Sequence, residues 1–460
     1  MRLKGNLAEG SIGKLLITMS LPAIIGMTIQ ALYNIVDTFW VGKIGAGQAI
    51  AALTICFPVQ MVMIAISSGT GIGLTSIISR RLGEKNLKNA VNSAEHGLLI
   101  VLVYGIITAA LGLTYIEQIL KFFGVTPDLF QMSLDYISVI LAGSILMYFA
   151  MISGSIIQAE GNAGIPMKSM ITGALTNMLL DPFLIFGIGP FPELGVQGAA
   201  IATIIGQVAG ASINLNYFLK GKSLLTPKLR SFKFDPQILG QIYKVGFPSM
   251  IMQLVNSIII LVLNHSLAPY GYRAIGAMGI YFRVQSLIFM PVMGLNQGLI
   301  PIVGFNYGAK NLSRMKSAIK KAALGAFIIM SIGFLAFQLF PGHLVAVFNR
   351  DPELINMGII AMRNITWLLP FVGPSIIMSS TFQAVGKGFT AMWLSLLRQV
   401  VLLLPALLIL PKFLGIRGIW LAFPLSDLIA ISITTLVFIS YIRHLEKHGF
   451  PDTGSLRSQS

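Results

Sequence analysis

Long apolar runs, broken by short polar loops, set the pattern of this chain from one end to the other. Twelve runs are long enough to cross a bilayer as helices, at 15–40, 49–79, 95–116, 131–157, 166–188, 195–219, 240–268, 275–306, 318–340, 355–384, 390–411 and 416–442. A crossing helix needs about 20 predominantly apolar residues, so several of these must tilt or project into water. The first run follows a polar, basic start, MRLKGNLAEGSIGK, and continues into WVGK. It has no small-residue cleavage site and reads as a retained helix. The pattern predicts an all-α integral membrane protein with twelve transmembrane helices.

Composition agrees: 55% of the 460 residues are hydrophobic and 10% are charged, against about 25% charged in soluble domains. The net charge of +16 would suit a nucleic-acid partner if it formed one patch, but it is scattered through the loops. Assigning alternate loops to opposite sides puts most of it on one side. That side takes Arg2, Lys4, Lys14, Arg80, Arg81, Lys85, Lys88, the basic stretch from Lys220 to Lys244, Lys310 to Lys321, Lys387, Arg443, Lys447 and Arg457. The other side holds only Lys43, Lys121, Arg273, Arg350, Arg363, Lys412 and Arg417. By the positive-inside rule both termini are cytoplasmic, in a multi-pass protein of the cytoplasmic membrane. Cys56 is the single cysteine and lies in an apolar run, so no intrachain disulfide and no Cys/His zinc cluster is expected.

The two halves of the sequence repeat. IAALTICFPVQ (50–60) aligns with IGAMGIYFRVQ (275–285), LGEKNL (82–87) with YGAKNL (307–312), TPDLF (126–130) with DPELI (351–355) and QAEG (158–161) with QAVG (383–386). LGVQGAAIA (194–202) then meets LGIRGIWLA (414–422) after a small length change. Six-helix halves that both begin inside are parallel repeats, related by an axis along the membrane normal. This divides the chain into an N-lobe (1–219), a basic cytoplasmic linker (220–239), a C-lobe (240–443) and a cytoplasmic tail (444–460). A central cavity between the lobes is the architecture of alternating access.

Polar residues inside the runs point to the chemistry. The fifth run, PMKSMITGALTNMLLDPFLIFGI, carries Asn177 and Asp181 four residues apart, on one helix face. Pro182 follows and frees a backbone carbonyl one turn back. The first run carries Gln30, Asn34 and Asp37 at i, i+4 and i+7 on one polar face. Both acids fall beyond the midplane, toward the outside, and would share a site if the two helices touch. The matching C-lobe segments hold Asn256 but no acid there, so the acidic chemistry is expected in one half only. Two carboxylates close together in a low-dielectric pocket cannot both carry charge cheaply. That suits proton coupling, and amides beside them equally suit a sodium ion at Asp37, Asn177 and Asp181. Pro22 is expected to kink the first helix. Asp427 in FPLSDLIA, expected to pair with a neighbouring helix, is the second-choice coupling acid. Tyr33, Gln30, Asn34, Met147, Tyr148, Met252, Met278 and Arg283 are candidates for the cavity wall, since soft side chains suit a promiscuous pocket. Glu160, beside GNAG at the inner end of the fourth run, reads as a solvated or gate-side group.

The motif LTNMLLDP (175–182), the stretch LPAIIGMTIQALYNIVDTFWVG (21–42), the loop RRLGEKN (80–86) and the duplicated layout together resemble the multidrug and toxic compound extrusion (MATE) transporters, in the prokaryotic DinF-like and MepA-like branch. The likeness covers nearly the whole chain. It implies a secondary antiporter that expels cationic or amphipathic drugs in exchange for protons or sodium, with no cofactor. It also implies a cation site of Asp37, Asn177 and Asp181, with the sixth-helix hydroxyl falling at Thr203. The fourth-helix amide of that branch has no match here, where Ser153 and Gly154 stand, which leaves the ion open between proton and sodium.

Two other readings differ in what they need. A lipid-linked oligosaccharide flippase of the same superfamily calls for a cationic cavity, against the acids of the N-lobe. An intramembrane enzyme calls for a Ser/Lys, His/Asp or metal-ligand set, which the sequence does not offer. The expected partners are small organic molecules and the bilayer, without nucleic acid; a monomer is expected, since the cavity needs no second copy.

Overall fold

A computed structural model describes residues 7–8, 10–44, 47–226 and 232–451. Arg2, Lys4, Lys228, Arg230, Arg457 and most of the tail lie outside the described residues. Every regular element among the described residues is helical. The first half contains α1 (Ile12–Val41), α2 (Gln48–Gly83), α3 (Leu87–Thr114), α4 (Ile116–Phe122), α5 (Pro127–Ala142), α6 (Ser144–Ala159), α7 (Gly164–Phe186) and α8 (Gly195–Leu219). The second contains α9 (Pro236–Leu267), α10 (Tyr272–Gly308), α11 (Leu312–Leu339), α12 (Pro341–Ala346), α13 (Pro352–Ile365), α14 (Leu369–Ala384), α15 (Gly388–Leu396), α16 (Leu404–Leu414) and α17 (Ile416–His448). A π-helical stretch, Leu397–Leu403, joins α15 to α16 into one crossing.

Ten crossings are continuous, and two are bent pairs, α5–α6 at 49° and α13–α14 at 52°. The twelve predicted spans therefore all correspond to crossings. The breaks fall at Gly143 and at Thr366–Leu368, matching places in the two halves, and the short helices α4 and α12 precede them at matching places too. The duplication seen in the sequence is thus a duplication of bends as well as of spans. α1 runs through Pro22 as one element.

One end of the bundle carries both termini. The Arg314 guanidinium donates to the Gly10 carbonyl at 3.0 Å, and Lys316 at the same end of α11 pairs with Glu446 near the end of α17. Contacts between the halves gather at this end. A Cβ on Gly69 would stand 2.7 Å from the Gly246 carbonyl oxygen, so α2 and α9 meet backbone to backbone. On α10, a Cβ at Gly298 would stand 2.9 Å from the Ser20 nitrogen of α1. Ser76 of α2 donates to the carbonyls of Gln383 (2.6 Å) and Ala384 (3.1 Å), the last residues of α14. All of these residues lie in the halves of their helices nearer the termini. Small side chains permit this approach, as they do generally where helices pack in a membrane.

The segment after α8 is held by Glu160, which the sequence suggested was a solvated or gate-side group. Glu160 is buried and accepts hydrogen bonds from the Ser223 hydroxyl (3.0 Å) and the Leu224 amide (2.8 Å). It clamps the start of the linker to the end of α6.

Candidate functional site

The site begins with the way α7 meets α8. A Cβ on Gly206 would lie 2.6 Å from the Gly173 carbonyl oxygen, and Ser169 donates its hydroxyl to the Gly210 carbonyl at 2.7 Å. With the backbones this close, the next turn of α7 brings the Asn177 amide to Thr203, where Nδ2 donates to Oγ1 at 3.2 Å. Thr203 passes its own proton to the Ala199 carbonyl at 3.0 Å, which leaves its oxygen as an acceptor. One turn further along α7 lies Asp181.

α1 lies alongside α7, and both leave the terminus-bearing end in the same direction. A Cβ on Gly26 would stand 3.1 Å from the Met170 sulfur. Counting on from this contact, positions 26, 33 and 37 of α1 step beside 170, 177 and 181 of α7. Tyr33 and Asp37 accordingly arrive at the level of Asn177 and Asp181. The charges of the two aspartates act on each other, and the Tyr33 hydroxyl lies near enough to Thr203 and to both acids to interact with them. At the far end of these helices Trp40 packs against Phe186, with ring centroids 6.1 Å apart.

Asp181 is fully buried (0% exposed) and Asn177 nearly so (2%). Among the described residues neither carboxylate oxygen of Asp181 completes a hydrogen bond, although the Asn177 amide one turn back lies near enough to act on it, and the amide oxygen of Asn177 has no partner. A buried carboxylate without a donor is costly, and a proton or a hard cation would relieve it. Among the described residues no group of three His, Cys, Asp or Glu side chains comes together to hold a metal. The donors at this site are instead oxygens of mixed kind, from Asp37, Asn177, Asp181, Thr203 and Tyr33.

Two further polar residues border this group. Tyr136 of α5 lies close enough to Asp37 and Tyr33 to interact electrostatically, and Gln60 of α2 donates to its hydroxyl at 3.0 Å. Neither stood out in the sequence. Gln60 had one signal: it matches Gln285 in the repeat, a polar position shared by both halves.

The other candidates are distributed. Gln30 and Asn34 are exposed on α1. At about 100° per residue they lie on the side opposite the exposed apolar residues Leu21, Leu32, Ile35 and Phe39. One face thus suits lipid and the other water. Met147 and Met252 are half-buried, Arg283 is exposed, and Tyr148 and Met278 are each 1% exposed within the packed core. Tyr148 hydrogen-bonds with Thr108 at 3.1 Å. Cys56 is buried and donates to the Ser133 carbonyl. In the second half, Asp427 is 6% exposed and pairs with Arg398 at 2.6 Å. It has the neutralising partner that Asp37 and Asp181 lack.

Comparison with known proteins points one way. The MatE family profile matches residues 22–183 and 248–408. The multidrug export protein MepA of Staphylococcus aureus is 27% identical over 427 residues, 93% of each chain. A FAD transporter of Shewanella oneidensis is 27% identical over 431 residues, 93% of this chain and 95% of that one. Among solved structures, an outward-facing multidrug resistance MATE family transporter of the MOP superfamily superposes with a TM-score of 0.89 at 29% identity, covering 96% of this chain and 99% of the other. A MATE transporter bound to MaD3S gives 0.90 at 28% identity with the same coverage.

Proposed function

This chain belongs to the MatE family of membrane transporters, and we propose that it is a secondary antiporter exporting cationic or amphipathic organic compounds in exchange for protons or sodium ions. The observation that carries this reading is Asp181, fully buried in the bilayer region with both oxygens unpartnered and with Asp37 close by. An ionisable group kept inside a membrane without a fixed partner is a site for a moving one. A proton or sodium ion held by Asp37, Asn177, Asp181 and Thr203 neutralises the pair, and a cationic substrate at the Gln30–Asn34 face competes for the same negative charge. Binding one therefore releases the other, which is the exchange that antiport requires.

With both termini in the cytoplasm, as the basic loops favour, contacts at the terminus-bearing end seal the inner side. The conformation then opens outward, where a coupling ion enters and substrate leaves. Parting of the Gly69–Gly246 and Ser20–Gly298 contacts would present the cavity to the inside.

The test is efflux of a fluorescent lipophilic cation from proteoliposomes, with proton and sodium gradients imposed separately. Wild type is expected to respond to one of them, and Asp37→Asn and Asp181→Asn to lose the response. Efflux that persists in both variants would remove the acids from coupling. No efflux under either gradient would overturn antiport in favour of lipid-linked oligosaccharide flipping.

A further inference from the structure

Away from the paired aspartates, the end of the bundle that bears the termini contains a second polar cleft. Two adjoining hollows of about 360 and 370 Å³ share Lys387, Tyr441 and His444 as walls. Tyr307 and His448 complete the first and Thr390 the second. The cleft thus lies where the α14–α15 turn, the end of α10 and the last turns of α17 come together.

Its charge is one-sided. Among the described residues, no carboxylate lines either hollow. The nearby acids are already engaged, Glu446 by Lys316 and Glu84 by Arg81. Among the described residues Lys387 has no carboxylate partner; its ammonium rests on the Tyr441 ring, 4.3 Å from the centroid. Lys244 faces Lys387 with like charge. Arg80 comes in from the other half: a Cβ on Gly386 would stand 2.7 Å from its guanidinium, and it interacts with both Tyr307 and Tyr441.

The cleft also holds an orphan polar group. Tyr441 is 8% exposed, and among the described residues its buried hydroxyl completes no hydrogen bond, although the Tyr307 hydroxyl lies near enough to act on it. A buried hydroxyl that completes no hydrogen bond is destabilising, and among the described residues this one stands among cations with no anion. Thr390, in the first turn of α15, adds a second hydroxyl beside the positive end of that helix. On α15, Phe389 and Trp393 are 47% and 64% exposed, aromatic side chains of the kind that mark the headgroup level.

We propose that this cleft binds a phosphate anion, either the headgroup of an anionic lipid in the adjoining leaflet or a soluble phosphate. Lys387, with Arg80 behind it, supplies the charge; Tyr441 and Thr390 supply hydroxyl donors. Basic pockets between helices on the cytoplasmic side are a recurrent way of holding acidic headgroups, and the exposed aromatics of α15 favour that source. A ligand here would touch α10, α14–α15 and α17 beside Arg80 of α2, and so would reinforce the seal between the halves.

The test uses the purified full-length protein in detergent. Its melting temperature is titrated with phosphatidylglycerol, with phosphatidylcholine, and with inorganic phosphate against chloride at equal ionic strength. Phosphatidylglycerol is expected to stabilise wild type more than phosphatidylcholine. Lys387→Gln is expected to raise the half-saturating concentration about tenfold or more, the loss of one charged hydrogen bond. Tyr441→Phe, which keeps the ring under Lys387, raises it severalfold and carries the test if Lys387→Gln misfolds. A phosphate response that needs no lipid, with the same loss in the variants, identifies the soluble source. An equal response to the two lipids without any response to phosphate, no response in wild type, or a response unchanged in both variants would overturn the proposal.

Discussion

Asp181 and Asp427 are both acids within a membrane span, and they differ in one respect. Arg398 neutralises Asp427 at 2.6 Å, whereas among the described residues no cation pairs with Asp181 and its oxygens complete no hydrogen bond. That difference predicts different behaviour on mutation. Removing one partner of a buried pair costs about 3–5 kcal/mol, and the remaining exposure of Arg398 reduces this to about 2 kcal/mol for Asp427→Asn. Combining it with Arg398→Leu is expected to restore most of the loss, since no orphaned charge remains. Melting temperatures of the single and double variants check this; a double variant no better than the single would refute a purely structural pairing. The acids, Asn177 and the polar face of α1 were legible in the sequence because charge and amide stand out in an apolar helix. Tyr136 was not legible, because one tyrosine in an apolar span carries no period, and only tertiary packing brings it to Asp37.

Among the elements, spans were easier to read than what interrupts them. Each crossing announces itself through about 20 apolar residues, but the bends of α5–α6 and α13–α14 follow from packing, and α4 and α12 are too short to show a pattern. Glu160 illustrates the same limit. Sequence placed it at a solvated helix end, and only the fold brings Ser223 and Leu224 over it. Burial pushes its carboxyl above the usual range, against the hydrogen bonds it accepts. A raised carboxyl binds its proton more tightly in the folded state. Its contribution to stability is therefore largest at pH below the ordinary glutamate range and falls as pH rises through the raised value. Glu160→Gln cannot ionise and removes that slope. The melting temperature of the variant relative to wild type is expected to climb as pH rises above the ordinary glutamate range; a constant difference would show that Glu160 does not titrate in the folded protein.

For the whole molecule, the decisive arrangement is the close contact of the two halves at the end that bears the termini. In the sequence, the basic loops point to an orientation and the repeat to a division into two halves. Which end is closed was not written there, because both states of an alternating carrier bury the same residue types. The closure can be tested by crowding it. A Cβ at Gly298 would stand 2.9 Å from the Ser20 nitrogen, so Gly298→Leu cannot be seated without forcing α1 and α10 apart. Efflux is expected to fall severalfold in this variant and the melting temperature to drop. Efflux and melting temperature both unchanged would show that this contact is not needed for closure.

The matching breaks at Gly143 and Thr366–Leu368 carry a historical consequence. A bend found at the same place in both halves was inherited by both, so it was already present in the six-helix ancestor when its gene doubled. The unpartnered acids occur in one half only. The hinge is thus the older feature, and the division of labour between the halves came after it.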